Sequence, residues 1–90
     1  MEDTRFVRDH LLNANHHSVA QAVMAIIDTL QHTKAETQIA SSGILFLMVC
    51  ERYGIEPREI LNITDNILNR HEGRKPEYEA ARLYMKHEWH

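Results

Sequence analysis

The sequence is poor in residues that staple, break or bend a chain. One cysteine, Cys50, stands among 90 residues, which excludes an internal disulfide and a Cys-based metal cluster. A lone cysteine inside an apolar run reads as a packing residue in a reducing cytoplasm. Glycine occurs three times and proline twice, too few for a glycine-rich phosphate loop or a long flexible linker. The longest unbroken apolar run, Ile44 to Cys50, spans seven residues. About 18 are needed to cross a bilayer, so no membrane span is expected. The opening Met1-Glu2-Asp3-Thr4 lacks the basic and apolar regions of a secretory signal, and the expected location is cytoplasmic.

An excess of positive charge is also missing. Ten Lys and Arg face 13 Asp and Glu, for a net charge of −3. The carboxylates outnumber the cations on both sides of Gly54, so neither half forms a basic arm for nucleic acid. Histidine is the exception to this sparseness. Seven are scattered along the chain, and they gain charge near pH 6.

What is present is helical periodicity. No segment alternates with a period of two between turn residues, so no strand is expected. Asp3 or Thr4 can cap a first helix carrying Phe6, Val7, Leu11 and Leu12. The Asn13 to Ser18 stretch weakens it, because Asn and Ser compete for local backbone groups. Two readings stand: one helix through to Gln31, or a new helix opened by a capping box at Ser18 and Gln21. Val19, Val23, Ile26, Ile27 and Leu30 form the apolar stripe of that stretch.

A second capping box, Thr33 with Glu36, predicts a helix from near Lys34 to Tyr53. Ile39, Ala40 and Ile44 to Cys50 make it apolar nearly all round. That is the expected mark of the most buried helix, the hub of the bundle. Ser41-Ser42-Gly43 gives it a patch of small residues open to close helix approach. Gly54 then Pro57, and Gly73 then Pro76, mark two helix ends followed by two helix starts. The fourth helix carries Ile60, Leu61, Ile63, Ile67 and Leu68, and closes near His71. The last carries Tyr78, Ala81, Leu83, Tyr84, Met85 and Trp89. The expected fold is all-α: one domain over residues 1–90, a compact bundle of four to five short helices. A chain this short has a thin core, which makes a homodimer the natural way to bury more surface.

Catalytic motifs are lacking. Cys50 sits inside the apolar run, where a buried thiol is inert. The serines have no nucleophile elbow. No His-Glu-x-x-His or Cys/His set is present, and adjacent His16 and His17 point about 100° apart on a helix. No enzyme, cofactor or metal is expected. The favoured reading is a protein–protein interaction module. Small acidic helical proteins of this kind serve as regulators, inhibitors or adaptors, some carried by phages and other mobile elements. Tyr78, Tyr84, Met85 and Trp89 are the interface candidates, since Tyr and Trp bury large area and still offer a polar tip. The competing reading of the same residues is that they close the core.

Two alternatives remain. Cys50, Gly54, Ile55, Ile60 and Ile63 fill every slot of a helix-turn-helix pattern. Arg58, Asn62 and Asn66 would then read DNA, although Glu56, Glu59 and Asp65 on the same helix repel phosphate. The other alternative is a metal or pH sensor built on the histidines.

Overall fold

The computed structural model describes residues 9–69 and 75–89, and everything said of the structure concerns these. They are helical, without a strand. A helical turn at residues 9–12 is followed by α1 (His16–Leu30), α2 (Ala35–Tyr53), α3 (Pro57–Asn69) and α4 (Pro76–Glu88). The expected caps at Asp3 and Thr4, Phe6 and Val7, and the helix end at His71 and Gly73 lie outside the described residues.

The chain breaks between the first turn and α1, so residues 9–30 do not form one helix. Asn15, in an extended conformation, caps α1, and its side-chain oxygen accepts from the Ser18 amide at 3.0 Å. Ser18 therefore lies in the first turn and is not the cap. Asn15 offers its carbonyl oxygen three residues earlier and captures the amide that must be satisfied. The second expected capping box also fails. Lys34 occupies the N-cap of α2 without a side-chain bond. The Thr33 hydroxyl turns back to donate to Leu30 O at 2.7 Å, so it closes α1 and does not open α2.

The Gly54 corner forms as expected. Gly54 adopts φ +65°, and its amide donates to Glu51 O while Ile55 N donates to Cys50 O. This paired arrangement satisfies the last carbonyls of α2 and needs a left-handed residue. Glu56 then serves as the cap of α3: its carboxylate accepts from Arg58 N at 3.2 Å, and its carbonyl accepts from Ile60 N. Pro76 takes the first position of α4, where a missing N–H is harmless.

The principal packing is α1 against α4, and α2 contacts α3 around the corner. Ala20 and Ile27 of α1, Ile63 of α3, and Tyr78 and Ala81 of α4 are buried, with Cys50 at the corner. The expectation that α2 is the most buried helix and the hub is not met. Only Gln38 and Cys50 of α2 are buried. Its middle turns are largely exposed: Ile44, Leu47 and Met48 lie open, and Ser41 and Phe46 are half-buried.

Candidate interaction surface

The exposed face of α2 is the outstanding feature of the molecule. Ile39, Ile44, Leu47, Met48 and Tyr53 are between 55% and 75% exposed, and Leu45 and Val49 nearly half exposed. No charged residue occurs from Thr37 to Cys50. The result is an uncharged, largely apolar surface along about four turns of one helix. Single exposed apolar side chains are ordinary, but the largest contiguous patch on a typical monomer is about 300–600 Å² and often functional.

A groove of about 440 Å³ adjoins this surface. Val23, Ile26 and Leu30 of α1 form one wall, Ile39 of α2 the other, and Met85 and Trp89 close its end. Gln38 anchors it: its amide donates to Leu30 O at 3.1 Å, its side-chain carbonyl accepts from Trp89 Nε1 at 2.7 Å, and its backbone carbonyl accepts from the Ser42 hydroxyl.

The aromatic residues expected at an interface are engaged within the chain. Tyr78 is buried, and its hydroxyl lies 2.8 Å from His16 Nδ1, the rings edge to face at 5.6 Å. Burial raises the Tyr78 phenol above its ordinary value, with the Glu77 carboxylate adding to the effect. Tyr84 donates to Gln31 Oε1 at 2.9 Å, and Trp89 to Gln38. These three bonds tie α4 to α1 and to the start of α2. Of the four candidates only Met85 is exposed, and it lines the groove.

Arg58, Asn62 and Asn66 are all exposed and follow one another at i, i+4 and i+8 along α3. The helix-turn-helix packing slots behind them are filled, with Cys50 and Ile63 buried and Ile55 and Ile60 half-buried. Glu56 and Asp65 are exposed on the same helix. No group of three or more His, Cys, Asp and Glu able to hold a metal ion occurs among the described residues. His16 is committed to Tyr78, while His17, His32 and His87 are exposed. His71 and His90 lie outside the described residues.

No helix among the described residues is long and apolar enough to cross a membrane. Comparison of the chain with protein-family models, with curated proteins and with solved structures finds no match. The surface of α2 is what sequence reasoning misplaced. The signal was present in the all-round apolar character of residues 39–50, which demands burial without saying which molecule provides it.

Proposed function

We propose that this chain is a non-enzymatic protein-interaction module, a small regulator or adaptor that works through protein–protein association. One observation carries the reading: the uncharged, exposed apolar surface of α2, with the groove between α1, α2 and α4 beside it. Burying one such Ile, Leu or Met is worth about 1.5–3 kcal/mol, so a few of them suffice for specific association. A cytoplasmic location is part of the same proposal, the free buried Cys50 fitting a reducing compartment.

The test is affinity capture from the native host with wild type, Leu47→Glu and Ile26→Asp side by side. Wild type should retain a defined protein in near-stoichiometric amount, and both variants should lose it while keeping their helical spectrum. Capture that is indifferent to both substitutions contradicts the reading.

A second reading is DNA binding through α3, favoured by the exposed Arg58, Asn62 and Asn66 stripe beside the Gly54 corner. It predicts duplex binding at low salt that weakens on Arg58→Ala. Absence of binding at low salt removes it.

A further inference from the structure

We infer that the molecule covering the outer face of α2 is a second copy of this chain, the two α2 helices crossing at Gly43. The inference rests on the reading of α2 as a binding surface and names its occupant. Ala40, Gly43, Ile44 and Leu47 follow the i, i+3, i+4, i+7 rule and so share one stripe, with Met48 at its edge. All five are exposed.

Three properties of this stripe select a second copy. The first is extent. Six large apolar side chains between Ile39 and Val49 are 47% to 75% exposed, and a stable interface of standard size takes about 800 Å² from each partner. The second is the absence of charge from Thr37 to Cys50. A two-fold contact sets the same patch against itself, so any central charge would meet its like. A charged partner would find no counter-ion here, whereas an identical neutral stripe meets no repulsion. The third is Gly43. A Cβ built there meets no atom within 4 Å, so the glycine is not required by packing inside the chain. Its φ is not positive either, Gly54 being the glycine with positive φ. A glycine in mid-helix weakens that helix relative to alanine. Close approach of another backbone gives this position a physical reason, and Ala40 three residues earlier lowers the same side.

The experiment is sedimentation equilibrium of the full chain from about 1 to 100 µM, with wild type, Gly43→Leu and Leu47→Glu. Wild type should reach twice the 10.5 kDa chain mass. Gly43→Leu should weaken the dimer at least tenfold with helicity kept or raised, because leucine favours the helix and only the crossing lacks room for it. Leu47→Glu should leave a monomer across the range. A wild-type monomer at 100 µM overturns the inference, as does a dimer that is indifferent to both variants or tightened by Gly43→Leu. A photo-crosslinking residue at position 47 of the same chain separates the two claims. A monomer that crosslinks a different protein loses the dimer and keeps the interaction reading, while a monomer that crosslinks nothing loses both.

Discussion

Trp89 Nε1 donates to the side-chain carbonyl of Gln38 at 2.7 Å, joining two residues 51 positions apart. Indole nitrogen can only donate, so the contact fixes which end of the Gln38 amide is oxygen. The other end donates to Leu30 O, and one buried glutamine thereby links α1, α2 and the end of α4. Replacing Trp89 by Phe leaves the buried Gln38 oxygen without that partner and should destabilise the fold by about 1–3 kcal/mol. Gln38→Leu in the Trp89→Phe background should recover part of this loss. Urea unfolding of the two single variants and the double variant measures the coupling, and additive losses contradict the network.

The His16–Tyr78 contact gives a second prediction. Tyr78→Phe removes a hydrogen bond while keeping the ring, and should lower stability by about 1 kcal/mol at neutral pH. The alkaline limb carries the sign. The Tyr78 phenol is raised in the folded state, so above about pH 10 the unfolded chain gives up this proton first. The contribution is present below pH 10 and falls as pH rises from there. Unfolding between pH 9 and 11.5 should show a shallower decline in Tyr78→Phe than in wild type.

The two candidate caps of α1 separate cleanly. Asn15→Ala removes the acceptor of the Ser18 amide and should lower stability by about 1 kcal/mol, whereas Ser18→Ala should change it by less than about 0.5 kcal/mol. Thermal unfolding of both variants decides the point. Equal losses would restore Ser18 as a capping residue.

Gly54 needs its left-handed backbone, and Gly54→Ala should lower stability by about 1–2 kcal/mol through the strain of φ +65°. Chemical denaturation at fixed protein concentration measures it. An unchanged midpoint contradicts the corner geometry.

Local chemistry made much of this fold legible. The Gly54 and Pro57 corner, Pro76 at the head of α4, the burial of Cys50 and the all-helical class follow from rules that act within a few residues. The caps did not, because Asn15 and Ser18 both offer a suitable oxygen and only the chain's path chooses between them. Thr33 turned backward for the same reason. The Trp89–Gln38 and Tyr84–Gln31 bonds join residues more than 50 positions apart, and no spacing rule reaches that far. The misreading of α2 has a different cause. Hydropathy says that Ile44, Leu47 and Met48 avoid water, but not whose surface shelters them. The candidate site is therefore legible in composition and invisible in location.

When the chain works, the apolar face of α2 is covered by protein. The most direct measurement is photo-crosslinking in living cells from position 47, on that face, against position 58, on the exposed stripe of α3. A protein adduct from position 47 that is absent from position 58 is the predicted result. No adduct from position 47, or a nucleic-acid adduct from position 58 alone, would contradict it.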